Sequence, residues 1–217
     1  MQYQYGANVR PEMIPFLPNE YSKVLEIGSG YGAFRKNLIK KNEYWGVELN
    51  AEIGKSSEKL LDKVLIGNYF DLYDQLPNDY FDLVICNDVI EHLPNPELFL
   101  CTIRKKMTAQ SHLVGSIPNI RHLSVLRMLL VAKQWRYEDS GILDRTHLKF
   151  FTLSSIKQLF FETNFSVESI QGINGFTRLL NYKYPFKMLL YAILGSDIQY
   201  IQFGFRVRKN NAGTAKL

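Results

Sequence analysis

Four side chains stand out for the chemistry they could share. Asp88, Glu91 and His92 fall within five consecutive positions, and His147 comes from a distant stretch. Carboxylates and imidazoles together suit Mg²⁺, Mn²⁺, Fe²⁺ or Zn²⁺ without selecting one. A metal held there would lower the pKa of a bound hydroxyl and turn it into a nucleophile near neutral pH. Without a metal, His147 reads as a general base that removes a hydroxyl proton, oriented by Asp144. A purely structural role for the group is the third reading. The residue types leave all three open.

A second chemical feature is Val24-Leu-Glu-Ile-Gly-Ser-Gly-Tyr-Gly-Ala-Phe34. Its apolar run reads as a short buried strand that stops at Gly28, Gly30 and Gly32. Phe34 and Leu38, four apart, then read as the inner face of a helix over 34–41. Glycines let the backbone turn sharply and approach a ligand, and a following helix N-terminus offers unpaired N–H groups. A plain tight turn would need fewer of them. Gly28-x-Gly30-x-x-Ala33 also satisfies the dinucleotide fingerprint, which alone does not tell one nucleotide cofactor from another.

These residues need a scaffold, and strand and helix patterns alternate as a parallel sheet requires. Strands are expected at 44–49, 64–67, 81–86 and 113–118, and helices at 51–61 and from Asn95-Pro96-Glu97 to about Met107. Asn can cap that helix, Pro fits its first turn, and Glu suits the positive end of its dipole. Helices at 122–133 and 152–163 follow, the latter capped by Thr152 or Ser154, then strands at 165–171 and 200–207. Residues 174–197 form an apolar insertion with a helix expected near 186–194. The expectation is one α/β domain over 1–217, built on a doubly wound, mostly parallel seven-stranded sheet with an antiparallel last strand. A helical insertion precedes that last strand.

A ligand of such a sheet sits beyond the carboxyl ends of its strands. The sequence places there Gly28 to Gly32 with Ser29 among them, then Glu48, Asn68 and Asp71, then Asn87, Asp88, Glu91 and His92, and finally Asn119 and His122. Glu48 follows the first glycine by about 20 residues, the usual offset of a carboxylate that holds ribose hydroxyls. Asp82 reads as structural.

Composition narrows the class. The chain has 217 residues, 46% hydrophobic and 22% charged, as a globular domain does. Its net charge of +5 is mild. Part of the excess lies in Arg206, Arg208, Lys209 and Lys216, which look like a frayed tail, and no basic stripe marks a nucleic-acid face. Cys86 and Cys101 lack metal-ligand spacing and read as buried reduced thiols of a cytoplasmic protein. No signal pattern opens the chain, and the longest apolar stretch falls short of a membrane span.

Glu26-x-Gly28-x-Gly30-x-Gly32, Glu48, Phe81-Asp82-Leu-Val and Glu91-His92-Leu-Pro, in that order, resemble a class I S-adenosylmethionine-dependent methyltransferase over about residues 20–170. The resemblance implies a Rossmann-like methyltransferase fold with S-adenosylmethionine as cofactor. It implies that Glu26 anchors the loop and one end of the cofactor, that the glycines pack on its methionine portion, and that Glu48 takes the ribose hydroxyls. The segment after the third strand would meet the adenine. Asn68 follows Gly67 where the family commonly has Asp, which makes Asn68 and Asp71 rival assignments.

A finer likeness lies in Asp88-x-x-Glu91-His92 together with Leu143-Asp144-Arg-Thr-His147-Leu-Lys-Phe-Phe-Thr152. This pattern resembles bacterial methyltransferases of surface-polysaccharide and lipopolysaccharide pathways, and implies O-methylation of a sugar hydroxyl. The acid-x-x-Glu-His segment is also similar to ubiquinone-pathway and small-RNA 2′-O-methyltransferases, in which a metal orients the substrate hydroxyls. A quinone-type small-molecule O-methyltransferase is therefore an alternative. Another is a non-catalytic module that binds cofactor and partners a glycosyltransferase. The acceptor, a glycan or small molecule, is expected to meet residues 1–18, 119–150 and 174–197. Tyr5, Arg10, Trp135, Arg136, Tyr137 and Arg145 are candidates to stack on a ring or pair with phosphate. Lys183 and Lys187 beside the apolar insertion suit a peripheral membrane contact. Nothing in the sequence speaks to oligomeric state.

Overall fold

The computed structural model describes residues 8–175 and 191–210. Its seven strands are β1 (Lys23–Ile27), β2 (Glu43–Glu48), β3 (Lys63–Ile66), β4 (Phe81–Asn87), β5 (Met107–Pro118), β6 (Phe165–Ile173) and β7 (Gln202–Lys209). They lie in the order β3-β2-β1-β4-β5-β7-β6. β1 to β5 pair in parallel, whereas β7 runs antiparallel to both β5 and β6. The expected doubly wound sheet with an antiparallel last strand is the one observed. Strand order reverses between β1 and β4, so the glycine turn after β1 and the residues after β4 open into the same crevice.

Alternation along the central strands supplies both faces of the core. Leu25 and Ile27 of β1, with Val84 and Cys86 of β4, pack against Phe99, Leu100 and Ile103 on one side. Val24, Leu83 and Ile85 face the other side, where Met13, Phe16 and Phe34 cover them. Each large buried side chain contributes about 1.5–3 kcal/mol of burial, so the two layers hold the strand ends in place.

The α-helices that lie wholly within the described residues are α1 (Ala51–Ser57), α2 (Pro96–Lys106), α3 (Leu123–Leu130) and α4 (Leu153–Glu162). Asn95 Oδ1 caps α2 by accepting from Leu98 N at 2.8 Å. Thr152 caps α4 in a reciprocal box with Ser155. That choice between Thr152 and Ser154 required the structure.

Several expectations are corrected. The helix at 34–41 is a single 3-10 turn over Ala33–Asn37. Asn37 is buried with Nδ2 donating to Val9 O, and Leu38 turns extended, which leaves Ile39 93% exposed. Periodicity there was real but too short to be buried along its length. α1 likewise ends at Ser57, before Leu61. Arg206, Arg208 and Lys209 belong to β7 rather than to a tail, and Arg206 pairs with Glu168. Cys86 is buried but Cys101 is exposed, on the outer side of α2. The helix expected near 186–194 falls mostly outside the described residues, as do Tyr5, Lys183 and Lys187. Among the described residues, no helix is long and apolar enough to cross a membrane.

Candidate active site

β1 delivers Glu26 and the glycine turn to the crevice. Gly28, Gly30 and Gly32 all have positive φ, at 70°, 52° and 73°. A Cβ on Gly28 would stand 2.7 Å from Val89 Cγ2, so the turn is also pressed against the segment after β4. Glu48 closes the turn from β2. Its Oε2 accepts from Gly30 N at 2.8 Å and its Oε1 from Asn50 N at 2.9 Å. Each oxygen keeps a further lone pair for a ligand.

Glu26 is 4% exposed, and Tyr44 OH donates to its Oε2 at 2.7 Å. Burial is the main reason its carboxyl is pushed up to about 8; the Tyr44 bond pulls it down, and the Glu48 charge adds to the rise. A cation arriving beside Glu26 would favour the ionised form. Ser29 Oγ and Asn87 Oδ1 are buried and have no hydrogen-bond partner among the described residues. Orphaned polar atoms beside a left-handed glycine turn fit a polar cofactor, as buried groups of this kind are ordinarily satisfied.

After β3 the chain makes a turn in which Asn68 Oδ1 accepts from Phe70 N at 2.9 Å. Asn68 and Asp71 are both exposed there, within one turn of each other. Asp82 bonds Ser22 N, Ser22 Oγ and Lys23 N at the opposite end of β4, in keeping with its structural reading.

Beyond β4 the structure brings together Glu91, His92 and His147. Each offers one donor atom, and these atoms lie within 4.8 Å of one another. The loop 144–149 reaches the turn after β4 because Leu148 N and Lys149 N both donate to Glu91 O, at 2.8 and 3.0 Å. His147 Nδ1 donates to Ile142 O at 2.9 Å, which leaves Nε2 with its lone pair, 3.9 Å from Glu91 Oε1. His92 Nδ1 lies 3.2 Å from Thr146 O and 3.1 Å from Thr146 Oγ1. The two imidazole rings meet edge to face with centroids 4.6 Å apart.

Glu91 is 1% exposed, and neither carboxylate oxygen has a hydrogen-bond partner among the described residues. Burial raises its pKa well above the usual carboxylate range, and Asp88 adds to the rise. His92 is lowered, first by burial and then by His147. This donor set fits a divalent cation: two imidazoles with a buried, unsatisfied carboxylate, and each histidine held by a backbone carbonyl through its other nitrogen.

Two sequence expectations meet different neighbours. Asp88 stands outside the three-residue cluster, because its φ of 53° turns it towards β5 and β7. Its carboxylate accepts from Arg10 Nη1, from Ser116 Oγ at 2.7 Å and from Gln202 Nε2 at 2.8 Å. Asp144 does not hold His147 Nδ1, which Ile142 O takes; Asp144 Oδ1 accepts from Thr146 N and Oγ1 at 2.8 and 2.6 Å. It shapes the loop that carries the histidine. Arg10, expected on the acceptor side, is occupied by Asp88 and Glu12.

Trp135, Tyr137 and Phe150 form an aromatic group beside His147. Phe150 is 5.4 Å from Trp135 and 6.4 Å from His147 between ring centroids. Trp135 and Tyr137 are 40% and 45% exposed. Sequence reasoning missed Ile142, Thr146 and Phe150. The last two lay inside the motif around His147, but a backbone carbonyl leaves no signal in residue type.

The sheet order and the crevice at its carboxyl edge define the fold of S-adenosylmethionine-dependent methyltransferases. A solved methyltransferase of that kind from Archaeoglobus fulgidus superposes with a TM-score of 0.65 at 21% identity, over 91% of this chain and 90% of the other. Another from Mesorhizobium loti gives 0.60 at 12% identity, over 92% and 96%. Residues 1–170 match the methyltransferase-domain family, and the chain belongs to it. It is also similar to a ubiquinone biosynthesis O-methyltransferase of Rickettsia bellii, 25% identical over 157 residues. That match takes in 70% of this chain and spans 64% of the relative's length. The cofactor is S-adenosylmethionine, which supplies an electrophilic methyl on a sulfonium.

Proposed function

We propose that the protein methylates a hydroxyl group, and that the hydroxyl belongs to a sugar ring of a surface glycan. The observation that carries O-methylation is the cluster of Glu91, His92 and His147. Displacement at a sulfonium methyl needs alignment of donor and acceptor and the removal of one proton. The methyl leaves sulfur for the acceptor oxygen, and the hydroxyl proton passes to His147 Nε2, whose lone pair is kept free by the Nδ1 bond to Ile142 O. Glu91, 3.9 Å away, then faces the imidazolium. In this role His147 is a catalytic residue and Asp144 a positioning one. Glu26, Gly28, Ser29, Gly30, Gly32, Glu48, Asn87 and either Asn68 or Asp71 hold the cofactor. The sugar reading draws on the Asp144-to-Thr152 motif and on the exposed rings of Trp135 and Tyr137, which suit stacking on a sugar face.

A second reading of the cluster is favoured by the unsatisfied Glu91 carboxylate. Glu91, His92 and His147 would hold a divalent cation, whose chemistry there is to acidify the acceptor hydroxyl. A quinone-type phenol is the competing acceptor, supported by the Rickettsia bellii relative.

The experiment is transfer of labelled methyl from S-adenosylmethionine to nucleotide sugars, lipid-linked glycans and catechol-like phenols. Label on a sugar oxygen is expected; label on phenols alone overturns the sugar assignment. His147→Ala should lower turnover about 10²–10⁴-fold while cofactor affinity is retained. Unchanged turnover would remove His147 from catalysis. No turnover by the wild type, with cofactor bound, would favour a binding module that partners a glycosyltransferase. Activity that survives exhaustive chelation, and that added metal does not raise, rejects the cation.

A further inference from the structure

The segment from the end of α3 to Phe150 carries, besides the Trp135 and Tyr137 rings assigned above to the acceptor, a surface the methyl-transfer reading does not use. Leu129, Leu130 and Val131 are 46%, 64% and 74% exposed, in succession, and Leu148 is 54% exposed. Isolated exposed leucines need no explanation, but three successive apolar residues at a helix end, followed within six residues by exposed Trp135 and Tyr137, make this stretch unusually rich in exposed apolar side chains. Val125 is the one residue of α3 that is buried, so the apolar end of this helix is not spent on the core.

The stretch has a basic border. Arg127, Lys133, Arg136 and Lys149 are exposed, and none has an acidic partner among the described residues. Arg145 is the exception, paired with Asp139 at 3.0 Å. Glu138 and Asp139 are the only exposed acids from 127 to 149, against five exposed cations. Apolar side chains flanked by aromatic rings and long cationic stems match the boundary between lipid headgroups and acyl chains. The surface is continuous with the acceptor side, since Trp135 touches Phe150 and Phe150 lies beside His147.

We propose that the end of α3 and the loop over 131–149 dock on an anionic lipid bilayer, so that the crevice opens towards an acceptor carried at the membrane surface. Charge complementarity selects the bilayer over a second copy of this chain, whose matching stretch is equally basic. The inference does not rest on the sugar reading, because docking needs no turnover.

The test is co-sedimentation of the full chain with vesicles of phosphatidylcholine, with and without about one third phosphatidylglycerol. Binding to the anionic vesicles alone is expected, weakening as salt rises. Lys133→Gln and Arg136→Gln should each lower it about fivefold, and Leu130→Glu with Val131→Glu should abolish it. Cofactor affinity should not change in any of these variants. Equal binding to neutral vesicles, or none to either, overturns the proposal. So does a wild-type dimer that the Leu130→Glu, Val131→Glu pair converts to monomer. Should that pair fail to fold, the single glutamine variants and the salt series still decide.

Discussion

Glu26, proposed as a cofactor contact, would tie acid–base chemistry to cofactor binding through its burial. Burial holds it largely protonated at neutral pH, with a pKa of about 8, although its ordinary value is near 4.5. A raised carboxyl is favoured in its neutral form, so its contribution to stability is fully present below pH 4.5 and is lost as pH rises through 8. In the proposed placement, the cationic end of S-adenosylmethionine lies beside Glu26 and would reverse that preference. Cofactor binding at pH 7 is therefore expected to release a proton, and affinity should rise with pH up to about 8. Calorimetry in two buffers of different ionisation enthalpy reads the proton directly. Glu26→Gln should abolish the release and weaken binding; zero net release by the wild type would show that Glu26 does not ionise against the cofactor.

At the scale of elements, the turn after β1 depends on backbone shape more than on side-chain chemistry. Gly28 combines a φ of 70° with a Cβ position already taken by Val89 Cγ2. Gly28→Ala should cost about 1–3 kcal/mol in a melting experiment, and it should cut cofactor affinity at least about tenfold, the equivalent of 1.4 kcal/mol of misplacement. Unchanged affinity would mean the turn does not approach the ligand. Such a turn was legible in the sequence because glycine itself is the signal. The helix expected after it was not, since Phe34 and Leu38 carry the spacing of a helix while Asn37 is drawn inward to the N-terminal segment. Only packing decides between a full helix and one turn when so few residues are involved.

Across the whole molecule, Arg10 and Asp88 hold distant parts of the chain together. Arg10 bonds Asp88 after β4, Ser116 of β5 and Gln202 of β7, and so fastens the N-terminal segment over the crevice. Both residues sit in left-handed backbone, a cost of order 1–3 kcal/mol each that surrounding contacts must offset. A double-mutant cycle of Arg10→Ala and Asp88→Ala, followed by urea unfolding, should give a coupling of about 0.5–3 kcal/mol. Additive losses would show that the pair only fills space.

The sequence by itself determined the fold class, and its likeness to the methyltransferase family implied the cofactor. Strand and helix patterns, the three glycines, Glu26 and Glu48 are local features, and each lies where the order of elements put it. Glu91, His92 and His147 were also nameable from residue type. Tertiary structure alone decided which of them meet. It turned Asp88 away to Arg10, gave His147 Nδ1 to Ile142 O instead of Asp144, and left the Glu91 carboxylate buried without a partner. The reason is physical: a residue's type states which bonds it can make, whereas its partner depends on a loop 54 residues away, as for His92 and Thr146, and on backbone carbonyls that every residue has.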